Sequence, residues 1–304
     1  SEFIEVNEGI TKKIVNILEE NNLTTPIIFT STTQALIDNP YGTSKKNAEK
    51  ILKNYSNNTG ANLSILRLPN IFGKWAKPNY NSAIATFCHN IARDIDIEIH
   101  NKDSELNLLY IDDLCASIIN FLAKKTVQIE LEPIYESTVG EIAELINKFK
   151  FSRENLISEN TGSGFARALY STYLSYLPKE KFQYQIKSNV DDRGLFAEMM
   201  KTKDSGQFSF FTAHPGITRG NHYHHTKTEK FLVLEGEALF KFKNLYDDTY
   251  FETIVSGDKL QIVESIPGWA HNIKNIGKNK LIVMLWANEI FDQSNPDTIA
   301  YEVL

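Results

Sequence analysis

Apolar positions in the first half of the chain recur at two periods. In Thr11–Glu20 (TKKIVNILEE) Ile14, Val15 and Leu18 fall on one face, the spacing of an amphipathic helix. Pro26–Thr30 (PIIFT) is a short apolar run between polar residues, which suits a buried parallel strand. Asn39-Pro40 predicts the entry to a helix over Tyr41–Tyr55, because proline fits the first helical position. Leu63–Leu68 (LSILRL) predicts the next strand. Helix, strand, helix, strand in this order predicts an α/β domain with a mainly parallel sheet.

The texture changes after a helical segment over Ala166–Leu177, which Pro178 ends. From Phe182 onward, Gln207–Ala213, Lys230–Leu234, Ala238–Phe242, Leu260–Val263 and Lys280–Trp286 are rich in β-branched and aromatic residues. Gly, Asp and Asn separate them, as in an all-β sandwich or barrel. The boundary is expected near residue 180, giving domains over 1–180 and 181–304.

Composition narrows the function classes. At 304 residues, 42% hydrophobic and 23% charged, the chain is long enough for two cores and is not a disordered polymer. Its 38 acidic and 32 basic residues give a charge of -6, which argues against a nucleic-acid partner. No apolar run reaches the roughly 18 residues that span a bilayer, and SEFIEVNEGITKK lacks the order of a signal peptide. Cys88 and Cys115 form no CxxC pair, so neither a disulfide framework nor a cysteine zinc module is expected. These features point to a soluble cytoplasmic protein with no membrane partner.

Two groups of residues carry candidate chemistry. Tyr41 and Lys45 stand four residues apart, on one helix face. A nearby ammonium favours a phenolate, and a tyrosine so placed can exchange a proton with a carbonyl oxygen while hydride arrives at carbon. Thr32, just past the strand at Pro26–Thr30, is the hydroxyl expected to hold that carbonyl. In the second half, His222 and His224 alternate on a strand and so face one side. Glu229 opens the next strand, and Pro267-Gly-Trp-Ala-His271 brings a third imidazole. Three His and one Glu suit one divalent metal, zinc first, with Mn, Fe, Co and Ni able to use the same set. His225 is expected to face away, and His214 has no assignment.

The stretches IIFTSTTQAL and NPYGTSKKNAEK resemble the active-site region of the extended short-chain dehydrogenase/reductase (SDR) family. EVNEGITKKIVNILE resembles that family's Asn-x-x-Gly helix through Gly9, with Asn7 one residue closer. LRLPNIFGKW resembles its Arg-x-x-Asn-x-Tyr-Gly segment, with Phe72 for tyrosine, and LLYIDDLCASI a strand-to-helix element carrying Asp112 and Asp113. The resemblance implies a Rossmann-like domain and a Thr32, Tyr41, Lys45 catalytic set. It further implies that Tyr41 and Lys45 contact bound NADPH and that Asn70 and Arg67 lie on the substrate side. No G-x-x-G-x-x-G or G-x-G-x-x-G precedes Tyr41, and Gly162-Ser-Gly164 reads as a loop. The N-terminal part of an SDR domain is therefore expected to be missing from these residues, and a polypeptide starting at Ser1 to have negligible NADPH affinity.

The ordered G-x₅-H-x-H-x₄-E-x₆-G from Gly216 to Gly236 matches the first cupin motif, and Gly257, Pro267 and His271 resemble the second. Inside it, DRGLFAE and GITRGNHY resemble segments of the deoxysugar 4-keto epimerases, which use the histidine of RGxH as a base. Here His222 would be base or metal ligand, and the base stays open. An SDR module joined to such an all-β cupin barrel resembles the bifunctional capsular-polysaccharide enzymes of the CapF type. That resemblance implies a UDP-4-keto-6-deoxy-N-acetylhexosamine substrate, epimerised at C3 by the cupin and then reduced at C4 with NADPH. The product would be the precursor of N-acetyl-L-fucosamine. It also implies a homodimer, for which apolar edges around Phe208–Phe211 are candidates. Two other readings stay open: a metal-dependent cupin isomerase or oxygenase on an inactive SDR scaffold, and a non-catalytic sugar-binding module. The metal's catalytic or structural role is likewise open.

Overall fold

A computed structural model describes residues 2–126 and 128–303. Among them, a π-helical turn over Ile4–Gly9 runs into helix α1 (Ile10–Glu20). Thr11 and Val15, one turn apart, are its buried residues, and Leu18 packs beside them. Ile14 is 50% exposed, so the inward face is turned from the one the spacing predicts. Strand β1 (Ile27–Thr32), helix α2 (Pro40–Thr59) and strand β2 (Leu63–Leu68) follow, with β1 and β2 parallel from Ile27 opposite Leu63 to Thr32 opposite Leu68.

Helix α2 has both ends written into its sequence. The Asn39 side chain accepts the Gly42 N–H at 2.7 Å, Pro40 occupies the first turn, and Gly60 closes the helix at φ 75°. Gly42 has a second reason to be glycine: a Cβ there would lie 2.1 Å from the Gln34 carbonyl oxygen. The small residue lets the Tyr41 turn sit directly on the loop after β1.

Alternate residues of β1 and β2 pack to opposite sides. Ile27, Phe29 and Leu63 meet Val15, Leu52 and Tyr55 of the helices, whereas Ile28, Leu66 and Leu68 meet Leu109 and Leu114. The latter come from β4 (Glu105–Tyr110) and α4 (Ile111–Leu122), which follow β3 (Asn70–Phe72) and α3 (Ala83–Ala92). β4 pairs in parallel with β3 and antiparallel with β5 (Ile134–Thr138).

A buried ion pair ties α2 to β2. Glu49 is 1% exposed; it accepts from Arg67 Nε at 3.0 Å and Nη2 at 2.7 Å, and from the Ser31 hydroxyl. The Arg67 hydrogen bonds outweigh the effect of burial and hold the carboxyl below its usual range. A depressed carboxyl stabilises the fold above its unfolded value, near 4.5, and that contribution is lost as pH falls through the folded value. The two partners are unequal, since the Arg67 side chain is 38% exposed. Arg67→Met, which strands a buried carboxylate, is expected to cost about 3–5 kcal/mol. Glu49→Gln, which leaves a cation that water can reach, should cost about 1–2 kcal/mol. Urea unfolding of both variants checks this order, and equal costs would contradict it.

The chain divides into two compact units, but not at a single cut. Residues 1–146 and 167–177 form the first unit, and residues 147–166 and 178–304 the second. The crossings fall within α5 (Val139–Asn155) and α6 (Gly164–Ser175) and at Leu177–Pro178. Strand β6 (Ile157–Ser158), between those helices, pairs with the second unit's β8.

The second unit is built on two sheets, with no hydrogen-bonded ladder joining them among the described residues. Its strands are β7 (Ser188–Asp191), β8 (Gly194–Thr202), β9 (Gly206–Ala213), β10 (Thr218–Tyr223), β11 (Glu229–Glu235) and β12 (Glu237–Asn244). β13 (Tyr250–Ser256), β14 (Ile262–Glu264), β15 (Trp269–Asn275), β16 (Leu281–Ala287) and β17 (Ile299–Ala300) complete it. One sheet runs β13-β12-β15-β10-β17 and the other β14-β11-β16-β9-β8-β6, with β7 on β8. Ala238, Phe240 and Phe242 from one sheet and Phe211, Phe231, Val233 and Val283 from the other fill one apolar core. Phe208–Phe211 are not an edge: β9 is hydrogen-bonded to β8 on one side and β16 on the other. Phe211 points into the core, and Phe208 lies on the opposite face with Leu232, Met284 and Trp286. Among the described residues no helix is long and apolar enough to cross a membrane.

Candidate functional sites

In the first unit, Thr32 is the last residue of β1, and its hydroxyl accepts the Gln34 N–H at 3.2 Å. Tyr41 lies in the first turn of α2, its ring 5.5 Å edge-on from Phe3. Lys45, one turn on, donates to the Thr30 carbonyl at 3.2 Å and lies 5.2 Å from the centre of the Phe29 ring. Burial there pulls the Lys45 ammonium below its ordinary range. No hydrogen bond joins Thr32, Tyr41 and Lys45 directly; what they share is the C-terminal end of β1 and the helix start that Gly42 lets approach it.

The two residues expected on the substrate side behave differently. Asn70 is exposed at the start of β3, its amide donating to the Asn107 carbonyl at 3.3 Å. Arg67 uses Nε and Nη2 on Glu49, so its guanidinium already has a structural task. Asp112 is paired with Lys74 at 2.6 Å. Asn7, on the π-helical turn, donates to the Ser44 hydroxyl at 3.0 Å and ties that turn to α2.

In the second unit the four expected metal ligands converge. One donor atom from each of His222, His224, Glu229 and His271 lies within 4.8 Å of the others. The backbone explains the meeting. Gly220 at φ 94° and Asn221 at φ 59° interrupt the β10–β15 register, and His222 then stands opposite His271. A Cβ at Gly220 would come within 3.0 Å of the Asn272 backbone, so the strands need glycine here. His224 lies one residue beyond β10, and Glu229 begins β11 on the other sheet, its N–H on the Ser265 hydroxyl. Both sheets therefore contribute ligands. His225 and His214 are exposed and lie outside the set.

The donor chemistry fits a cation. Glu229 Oε2 is 3.2 Å from His224 Nε2, 3.3 Å from His271 Nε2 and 3.9 Å from His222 Nε2. His224 Nδ1 faces the Asp297 carbonyl, which can only accept, so Nδ1 carries the proton and Nε2 presents a lone pair to the carboxylate. Both ring nitrogens of His271 and Nε2 of His222 are buried without a hydrogen-bond partner. Burial alone would raise the Glu229 carboxyl, but its polar surroundings, the Lys227 ammonium among them, hold it well below its usual range. Burial likewise lowers His271, disfavouring its charged form. Lone pairs and an anionic oxygen aimed at one point are what a divalent ion satisfies.

His222 and Glu229 also open onto a cavity of about 420 Å³. Phe196, Phe211, Phe231 and Phe291 give it apolar walls, while Arg193, Arg219 and Lys227 bring three cations to it. Arg219 Nη2 is buried without a hydrogen-bond partner, and the side chain donates only through Nε to the Thr212 carbonyl. Lys227 is 7% exposed, with Nζ 3.5 Å from Glu229 Oε1. Sequence reasoning assigned none of these three a role. Arg193 and Arg219 sit inside the DRGLFAE and GITRGNHY segments, and Lys227 is two residues before Glu229, so each carried a positional signal.

Comparison with known proteins places the chain. Residues 1–131 match the NAD dependent epimerase/dehydratase family, and residues 189–299 match the polysaccharide biosynthesis C-terminal domain. A UDP-2-acetamido-2,6-beta-L-arabino-hexul-4-ose reductase of Pseudomonas aeruginosa is 50% identical over 99% of this chain and 82% of its own length. The crystal structure of the capsular polysaccharide assembling protein CapF from Staphylococcus aureus superposes with a TM-score of 0.90 at 44% identity, covering 96% of this chain and 80% of that one. The chain belongs to the CapF-like family. It is an enzyme, and its CapF-like architecture joins an SDR-type α/β part to a large β-sheet region. The spore coat polysaccharide biosynthesis protein SpsL of Bacillus subtilis is similar over a shorter stretch, 27% identical across 123 residues. The family association suggests a nicotinamide cofactor for the CapF-like α/β unit. Tyr41 and Lys45 set a phenol and an ammonium one turn apart at the end of β1, and the residues before Tyr41 include no Gly-rich turn for a pyrophosphate.

Proposed function

We propose that this enzyme acts twice on a UDP-4-keto-6-deoxy-N-acetylhexosamine. The β-sheet domain, residues 181–304, epimerises C3, and the α/β domain, residues 1–180, then reduces the C4 ketone with NADPH. The observation that carries the reading is the Tyr41–Lys45 pair at the end of β1, in a chain half identical along its length to a protein named as a UDP-sugar 4-ulose reductase.

In the reduction, Tyr41 gives its hydroxyl proton to the C4 oxygen, with Thr32 and Lys45 orienting it. NADPH would supply the hydride. Asn70 and the outer side of Arg67 face the nucleotide sugar. Epimerisation comes first because the C3 proton is acidic only while C4 is a ketone. The β-sheet domain is read as a cupin-type barrel in which His222, His224, Glu229 and His271 would hold one divalent ion, zinc first. Such an ion would supply Lewis acidity toward the ketone oxygen or hold the two sheets together. Arg193 and Arg219 suit the diphosphate end of the substrate, and the phenylalanine walls exclude water from the sugar. The likeness to CapF supports a precursor role in capsular polysaccharide synthesis, to which the proposal adds a homodimer as the working assembly and a cytoplasmic setting.

The test incubates the full-length protein with the UDP-4-keto sugar in deuterated water. Deuterium is expected at C3 without cofactor, and NADPH absorbance should decay once cofactor is added. Decay without any C3 exchange would leave a reductase only, and the absence of both signals would overturn the reading.

A further inference from the structure

We propose that Asp297 is a positioning residue for the histidine–glutamate cluster, fixing both the ring of His224 and the ammonium of Lys227 from a distant part of the chain. The inference rests on the reading that the cluster holds a metal. Asp297 lies beyond β16, in the segment that leads to β17. Its carboxylate accepts the backbone N–H groups of His225 at 2.9 Å, Thr226 at 2.8 Å and Lys227 at 2.9 Å, and the Thr226 hydroxyl at 3.1 Å. Its main-chain carbonyl accepts from His224 Nδ1. One residue thus meets four consecutive residues of the loop between β10 and β11.

The two kinds of contact do different things. The carbonyl sets the His224 tautomer and turns Nε2 toward Glu229 Oε2. The carboxylate fixes the backbone that carries Lys227, whose Nζ then lies 3.5 Å from the other oxygen, Oε1. Glu229 Oε1 thus faces an ammonium, while Oε2 faces the point where the imidazoles meet. Phe291 and Thr298, from the same returning segment, line the cavity beside the cluster. Four donors converge on one carboxylate, so the clasp is a charge-assisted one. A residue that merely closed a surface loop would need the carboxylate contacts alone; the contact to a ligand ring is what assigns Asp297 to the site.

The experiment compares Zn²⁺ affinity, by competition with a chromophoric chelator, and the visible spectrum of the Co²⁺-loaded protein, for the wild type, Asp297→Ala and Asp297→Asn in the full chain. Loss of such an outer partner typically weakens metal binding by about 10–100-fold. Asp297→Ala keeps the main-chain carbonyl opposite His224 Nδ1 but frees the loop that the carboxylate pins, so a weakening within that range is expected, together with a changed Co²⁺ spectrum. Asp297→Asn keeps one acceptor oxygen and should fall between the two; it carries the test if the alanine variant does not fold. A folded variant with unchanged Zn²⁺ affinity and an unchanged Co²⁺ spectrum overturns the proposal, even if its melting temperature is lower, because a simple loop clasp predicts that result. A wild-type protein that binds neither ion overturns the metal reading itself, a different and recognisable outcome.

Discussion

Tyr41→Phe is expected to lower NADPH-dependent reduction in the full-length protein by about 10²–10⁴, the usual worth of a positioned acid. Deuterium exchange at C3 should continue, since no residue of the β-sheet domain is touched. The substitution is clean for a structural reason. Tyr41 sits in the first turn of a helix whose start is fixed by Asn39, Pro40 and Gly42, none of which it alters. Phenylalanine keeps the ring that meets Phe3 edge-on, so the fold loses only a hydroxyl. Lys45 keeps its bond to the Thr30 carbonyl and its place beside Phe29. A fall in rate with an unchanged melting temperature therefore reads directly on proton transfer. Near-normal reduction by the variant would remove Tyr41 from the chemistry.

Much of this arrangement was legible because it is local. The strand run at Ala238–Phe242, the helix entry at Asn39-Pro40 and the spacing of His222, His224 and Glu229 are each set within a few residues, where backbone period decides which side chains share a face. Other features depend on the approach of distant segments, which spacing does not encode. Asp297 meets the ligand loop only after β16 has been laid against β11 and β9. Glu49 reads as one more charge on a polar helix, yet it is buried because Arg67 projects from β2 beneath it. The face of α1 differs from the one the spacing predicts, with Ile14 outward and Thr11 inward: at 100° per residue Thr11 lies within the Val15–Leu18 arc and Ile14 on its flank, and packing decides whether that flank is covered. Phe208–Phe211 looked like an edge because apolar alternation is the same on an inner strand; only pairing on both sides tells them apart.

His224→Gln is expected to abolish stoichiometric metal binding and to lower the melting temperature of the β-sheet domain. His224 is 1% exposed and has two duties, Nδ1 donating to Asp297 and Nε2 facing Glu229. A glutamine amide can donate to the carbonyl or offer its oxygen to an ion, but it does not match both directions of an imidazole. The loss also leaves Glu229 buried among fewer balancing groups. Elemental analysis should find about one metal per wild-type chain, from a single set of four ligands, and much less in the variant. A ligand present at 100 times its dissociation constant stabilises the folded state by about 2.7 kcal/mol. For a domain of this size that corresponds to about 10 °C in melting temperature. Chelator-treated wild type should show a similar drop and recover it when zinc returns, whereas the variant should not. The same metal-free wild type decides what the ion does. If it stays folded and still exchanges deuterium at C3, the ion only braces the two sheets, and the proton is handled by side chains alone. If it stays folded and exchange stops, the ketone oxygen needs the charge that His222, His224, Glu229 and His271 are arranged to hold. A wild-type protein that carries no metal as purified and takes up none on zinc titration would remove the ligand assignment altogether.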